Sequence, residues 1–134
     1  GKEAQEILKK KFNSASNKFK KEEDKLKKDE AALISKKKLV TNEEFAKEVK
    51  KLRERVAKLQ KEKTTTYDNI AKLRNESKLK LLKLLNPLMK EFMAEKKIRI
   101  ILDKSVVIAG DQSLDITAQV IDILNKKVKT LGIK

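Results

Sequence analysis

From Leu8 onward, apolar side chains return at alternating steps of four and three, at Leu8, Phe12, Ala15, Phe19, Leu26 and Leu33. Glu22 and Asp29 occupy two places where the same count calls for an apolar residue. This heptad seam predicts a helix of coiled-coil type with two acidic interruptions. A second seam with the same steps runs through Phe45, Val49, Leu52, Val56, Leu59, Lys63, Thr66, Ile70 and Leu73, and it predicts a second such helix whose middle is polar. Between the two lies Lys36-Lys37-Lys38-Leu39-Val40, followed by Thr41-Asn42-Glu43-Glu44. Thr41 and Glu44 have the spacing of a capping box, and Val40 and Phe45 that of a hydrophobic staple. Lysines closing one helix and glutamates opening the next suit both helix dipoles. A connection this short favours antiparallel packing, so the chain is expected to turn back near residues 37–41.

Folding back there pairs Leu33 with Phe45, Leu26 with Leu52, Phe19 with Leu59, Phe12 with Thr66 and Leu8 with Ile70. It also sets Glu22 against Val56, Asp29 against Val49 and Lys63 against Ala15, so the arm is expected to bend and open near its tip and middle. Gly1 falls opposite Ser77, and the second helix continues to about residue 96 without a partner in the first. That continuation is the most apolar stretch of the chain: Leu79, Leu81, Leu82, Leu84, Leu85, Leu88, Met89 and Phe92 nearly encircle the helix. Its expected covers are the C-terminal segment, residues upstream of Gly1 and other subunits. Pro87 predicts a kink or break between Leu84 and Pro87 that need not end the helix.

After Lys97 the period changes. Ile98, Ile100 and Leu102 alternate with Arg99 and Asp103, and Val106, Val107 and Ile108 follow Asp103-Lys104-Ser105, which predicts two short antiparallel strands over 98–109. Residues 110–113 read as a loop. Asp115 is placed to cap a last helix over 115–130, with Ile116, Val120, Ile123, Leu124 and Val128 on one face and Gly132 as its stop. The expected fold class is therefore α+β and mostly helical, with a long antiparallel coiled-coil arm over 1–78 and a small base over 79–134. An isolated two-stranded hairpin is marginal in water, so this sheet is expected to gain strands from elsewhere.

Charged residues make up 41% of the chain and aromatic ones 4%, which leaves little material for a large globular core and favours an extended shape. The net charge of +15 calls for partners of opposite sign, whether nucleic acid, acidic lipid or lipopolysaccharide, or acidic polypeptide. Positions 1–96 hold 28 basic against 16 acidic residues, so most of the excess belongs to the two long helices. With neither cysteine nor histidine, thiol chemistry, thiolate zinc sites and histidine acid–base catalysis are excluded, and the chain is not expected to be an enzyme or to need a cofactor or metal. No apolar run is long enough to span a membrane, and no signal peptide opens the sequence. A start already in helical pattern, without methionine, reads either as a processed protein or as a chain from which upstream residues are missing.

Gly-Lys-Glu-Ala-Gln opening a charged helix, Asn86-Pro87 in the returning helix, and Leu102-Asp103-Lys104-Ser105-Val106-Val107 leading to Leu114-Asp115-Ile116-Thr117 together resemble the Skp/OmpH family, over essentially the whole chain. The more specific part is the expected strand pair followed by Asp115-Ile116-Thr117 and Val120-Ile121-Asp122-Ile123-Leu124-Asn125. The resemblance implies a periplasmic protein of Gram-negative bacteria, a homotrimer in which a β-rich trimerisation body holds helical tentacles around unfolded outer-membrane proteins. The family's short apolar first strand, which precedes the Gly-Lys-Glu-Ala-Gln position, is absent from this sequence.

On that reading the chain is an ATP-independent holding chaperone. Phe12, Phe19 and Phe45, with Lys36, Lys37 and Lys38, are the candidate client-binding residues, although seam positions also suit the phenylalanines to internal packing. Leu82, Leu85, Leu88, Met89, Phe92, Ile98, Ile100, Leu102, Val106, Ile108, Ile116, Val120 and Ile123 are the candidate core of the oligomerising body. Two other functions suit parts of the sequence. A basic helical protein binds nucleic acid non-specifically, but one tyrosine and four phenylalanines offer little base stacking and no sequence-reading motif is present, so no specific nucleic-acid partner is expected. A structural coiled-coil spacer fits the helices but not the interrupted seams or the expected β base.

Overall fold

A computed structural model describes residues 2–133. Its elements in order are helix α1 (Lys2–Lys36), helix α2 (Asn42–Lys96), single 3-10 turns at Lys104–Val106 and Gln112–Leu114, and helix α3 (Thr117–Lys127). Two compact units divide these residues, one from Gln5 to Arg74 and one formed by Ala4 and the few residues before it with Asn75 onward. The expected pairing of Gly1 with Ser77 lies outside the described residues.

In the first unit, α1 and the first part of α2 form an antiparallel arm. The Thr41 N–H donates to Glu44 Oε2 at 3.1 Å and the Glu44 N–H donates to Thr41 Oγ1 at 3.2 Å, so two backbone donors left over by the helix start are satisfied reciprocally. Val40 and Phe45 are both half-buried beside this box, as a staple requires. Along the arm, Phe19 and Leu26 are buried, and Ala15, Leu33, Val49, Leu52, Leu59, Ile70 and Leu73 are half-buried, so the seams face each other. Phe19, 2% exposed, is the best-covered side chain here, and covering it removes roughly 2–3 kcal/mol worth of apolar surface from water.

The polar interruptions find partners other than those the simple fold-back assigns. Asp29 forms an ion pair with Arg55 at 2.7 Å, and Lys63 donates to Glu23. Glu22 stays exposed while Glu23 is half-buried, so the seam steps one residue along the helix at that point. A charged group at a seam avoids desolvation by leaving the interface or by taking an opposite charge with it, and this arm does both.

In the second unit, α2 runs unbroken through Pro87. It stops at Lys97, whose φ of 57° is the left-handed conformation of a helix C-terminus. There the Ile98 N–H donates to the Met93 carbonyl at 2.9 Å and the Lys97 N–H to that of Ala94 at 3.4 Å, the two bonds of a Schellman motif. Ser77, Phe92, Leu131 and Ala4 are the buried residues of this unit. Ile116, Val120, Ile123, Leu124 and Val128 are half-buried along one side of α3, which starts later and ends earlier than the expected 115–130. Gly132 lies beyond its end, at φ 62°.

The expected α+β class with a β-rich trimerisation body is corrected here: among the described residues there is no strand and no sheet. Ile98, Ile100 and Leu102 are non-helical but form no strand, and Val106 belongs to a 3-10 turn instead of a returning strand. The turn is set by Asp103, whose Oδ1 accepts both the Ser105 N–H at 2.8 Å and the Ser105 hydroxyl at 2.7 Å. Alternation makes a segment fit for a sheet, but a strand exists only through the hydrogen bonds of a neighbour, and two short segments alone do not repay the entropy of pairing. Ile100, Leu102, Val106 and Ile108 consequently remain exposed.

Candidate functional site

The arm carries two grooves. The larger, about 890 Å³, lies between the helices in the middle of the arm, over Leu26, Leu52, Val56 and Leu59, and is rimmed by Glu23, Glu30, Lys27, Arg53 and Lys63. Its existence follows from the seam: Ala57 is small, Val56 is 49% exposed, and the Glu23–Lys63 pair occupies layer space that an apolar pair would fill. The hydrogen bond from Lys63 holds the Glu23 carboxyl below its ordinary range, and the same bond raises the Lys63 ammonium, so both stay charged at neutral pH.

The smaller groove, about 590 Å³, is lined by Lys10, Lys11 and Lys18 with Ala15 from α1 and by Asn69, Ile70 and Leu73 from α2. No acidic residue lines it. Close by, the Phe12 ring stands 5.4 Å from that of Tyr67, and Phe19 lies 5.8 Å from the same ring. These tilted pairs place one tyrosine between two phenylalanines, an arrangement favoured by the ring quadrupoles.

The sequence-predicted client residues are not gathered at one place. Phe12 is 51% exposed and offers part of its ring to solvent, whereas Phe19 is buried under Tyr67 with the Lys18 ammonium 5.7 Å from its ring centre. Phe45 is half-buried at the start of α2, and Lys37 reaches to 5.8 Å from its ring. Lys36, Lys37 and Lys38 are exposed at the turn. Sequence reasoning missed both grooves. The small Ala57 beside the interrupted layer is a signal for the first, and Lys10-Lys11 with Lys18 two helical turns on is a signal for the second.

Residues expected in an oligomerising core fall into two groups in the second unit. Leu85, Leu88, Met89, Phe92, Ile98, Ile116, Val120 and Ile123 are buried or half-buried within the chain. Leu82, Ile100, Leu102, Val106 and Ile108 are exposed, together with Leu79 and Leu114, which sequence reasoning did not put in that core. Asp103, Asp111 and Asp115 repeat one device: each carboxylate accepts the N–H and the hydroxyl of the Ser or Thr two residues on. Those hydroxyl bonds hold all three carboxyls below the ordinary range, and at Asp115 a bond from Lys104 at 2.9 Å adds to the effect. Nothing else about these carboxylates points to chemistry, and among the described residues no cluster of acidic side chains has the grouping of a metal site. Nor is any described helix long and apolar enough to cross a membrane.

Comparison with known proteins gives one result. No curated protein and no solved structure matches the chain. The family model described as outer membrane protein (OmpH-like) matches residues 1–124, which takes in both long helices, the exposed segment after α2 and most of α3. The chain belongs to the OmpH-like family.

Proposed function

We propose that this protein is an ATP-independent holding chaperone of the Gram-negative periplasm, which binds unfolded outer-membrane proteins and keeps them from aggregating. The observation that carries the reading is membership of the OmpH-like family over residues 1–124. The arm is consistent with it: a long, strongly basic surface with shallow grooves suits many weak contacts better than one tight pocket.

Lysines along α1 and α2, with Lys36, Lys37 and Lys38 at the turn, attract acidic client segments over a Debye length of roughly 8–10 Å. Phe12 and Phe45 then supply apolar contact at separate places, while Phe19 supports the ring cluster from beneath. The sequence has three glycines and no glycine-rich phosphate loop, so release follows from the client's own folding or insertion, which withdraws the surface it offered. Lipopolysaccharide or acidic lipid, being anionic and amphipathic, meets the same surface. The working form is a homotrimer. Leu82, Ile100, Leu102, Val106 and Ile108 meet other copies in it, since one chain leaves them exposed.

Diluting a urea-unfolded outer-membrane β-barrel protein into buffer with and without this chain tests the reading by light scattering. Suppressed scattering without nucleotide, persisting at moderate salt, is the expected result. Undiminished aggregation, with steeply salt-dependent binding to DNA in its place, would assign the basic surface to nucleic acid.

A further inference from the structure

The two grooves of the arm differ in how their charges are answered. The mid-arm groove is lined by both acids and bases, and Glu23 is bonded to Lys63. In the smaller groove, Lys18 has a loose partner in Glu62 at 3.9 Å, and among the described residues Lys10 and Lys11 form no ion pair. Between Gln5 and Lys20 the one acid is Glu6, against lysines at 9, 10, 11, 18 and 20. A lysine wall on α1 thus faces α2 across an apolar floor of Ala15, Ile70 and Leu73, with Thr66 and Asn69 as uncharged hydrogen-bonding groups on the far side.

Taking the chaperone reading as its basis, we infer that this groove seats an extended segment of the unfolded client in which carboxylates alternate with apolar residues. Lys10 and Lys18 are eight positions apart on one helix, roughly 12 Å along its axis. An extended chain advances about 3.3 Å per residue, so carboxylates four positions apart on one face of it span roughly 13 Å and meet both ends of the lysine wall. The same carboxylates on a helical peptide would be only about 6 Å apart and would not. The opposite face of the extended segment turns toward α2, where Ile70 and Leu73 give apolar contact and Thr66 and Asn69 reach backbone groups. Strands of outer-membrane barrels have this alternation of polar and apolar residues, so the groove reads the pattern of the client before the client has formed any sheet. The apolar floor gives a peptide more contact than it gives a phosphodiester chain, which places nucleic acid second.

Fluorescence anisotropy with the full chain tests this, using a dye-labelled peptide that alternates glutamate with leucine and tyrosine, and a second peptide of the same composition with its glutamates in one block. Lys10→Glu/Lys11→Glu is compared with Lys50→Glu/Lys58→Glu, which changes net charge equally at exposed positions that line neither groove. The groove variant is expected to weaken binding of the alternating peptide about tenfold and the control less than about twofold. Lys10→Gln/Lys11→Gln, a milder change that leaves the helix intact, is expected to weaken it about threefold. The blocked peptide should bind more weakly than the alternating one. Equal losses in the two charge-reversal variants, equal binding of the two peptides, or absence of binding overturns the inference. So does stronger competition by a single-stranded oligonucleotide of matched charge that is lost in the same variant. The scattering assay separates the two readings: a chain that protects the barrel protein while its groove variant binds peptide unchanged retains the chaperone function without this seat. A chain that protects nothing fails at the function itself.

Discussion

Phe19, 2% exposed, and Ile108, 103% exposed, mark the extremes of two regions that treat apolar residues in opposite ways. From Gln5 to Arg74 apolar side chains are sparser, and most of the large ones lie on two seams that face each other, with Ile34 and Leu39 off the seams and exposed. From Asn75 onward they are dense, yet Leu79, Ile100, Leu102, Val106, Ile108 and Leu114 are left to solvent. The contrast shows that apolar content does not decide what becomes a core; a facing surface does. A heptad seam defines its own partner through the turn that follows it, whereas an extended segment needs a neighbour to hydrogen-bond with, and among the described residues none is supplied.

The contrast can be broken most directly by two truncations. Phe19→Ala should cost the arm about 3 kcal/mol in urea denaturation, because it empties a packed layer and takes away the lower ring against Tyr67. Ile108→Ala should change the stability of a single chain by no more than about 0.5 kcal/mol. Comparable losses at both positions, measured at a dilution where light scattering shows single chains, would mean that Ile108 is covered by its own chain after all.

A smaller effect is expected at the turn. Thr41→Ala removes the acceptor of the Glu44 N–H and should lower arm stability by about 1 kcal/mol, with Thr41→Ser restoring most of it. At the end of α2 the sign reverses. Lys97 holds a left-handed conformation that costs a side-chain-bearing residue more than glycine, so Lys97→Gly should raise the denaturation midpoint of the second unit by the equivalent of about 0.5 kcal/mol.

The smallest effect concerns acid. The Asp115 carboxyl is held below its ordinary range by the Thr117 hydroxyl, by Lys104 and by the Thr117 N–H. Its contribution to stability is therefore complete above the ordinary aspartate pKa and is lost as pH falls through the depressed folded value. Chemical-shift titration of its carboxyl should show a midpoint well below that of a free aspartate, and Lys104→Gln should move the midpoint upward. An ordinary midpoint in the native chain would remove the Asp115 bonds from the account.

Much of the arm was legible in the sequence because its determinants are local. Thr41 and Glu44 are three residues apart, Val40 and Phe45 flank them, and the seams on either side have one period. Each can be read without knowing what lies across the fold, and the hydrogen bonds follow that reading. The details of pairing were less legible, since Glu23 and Asp29 have long partners, Lys63 and Arg55, that reach past the layer directly opposite. The segment after Lys97 was misread for a different reason: Ile98, Ile100 and Leu102 have the spacing of a strand, but Asp103 and Ser105 close a 3-10 turn at once and no ladder forms. The repeated Asp-x-Ser/Thr pattern at 103, 111 and 115 was visible, yet only its third member was read as structural. The grooves were hidden because they depend on side-chain volume in layers that face each other, which spacing along one helix does not reveal.

The central claim is tested most directly by the native mass of the chain, by light scattering after chromatography, alone and after mixing with a urea-diluted outer-membrane β-barrel protein. The account predicts a homotrimer that takes up one client and stays soluble, with Ile100→Asp/Ile108→Asp reducing it to single chains. A monomer that leaves the barrel protein to precipitate would contradict it.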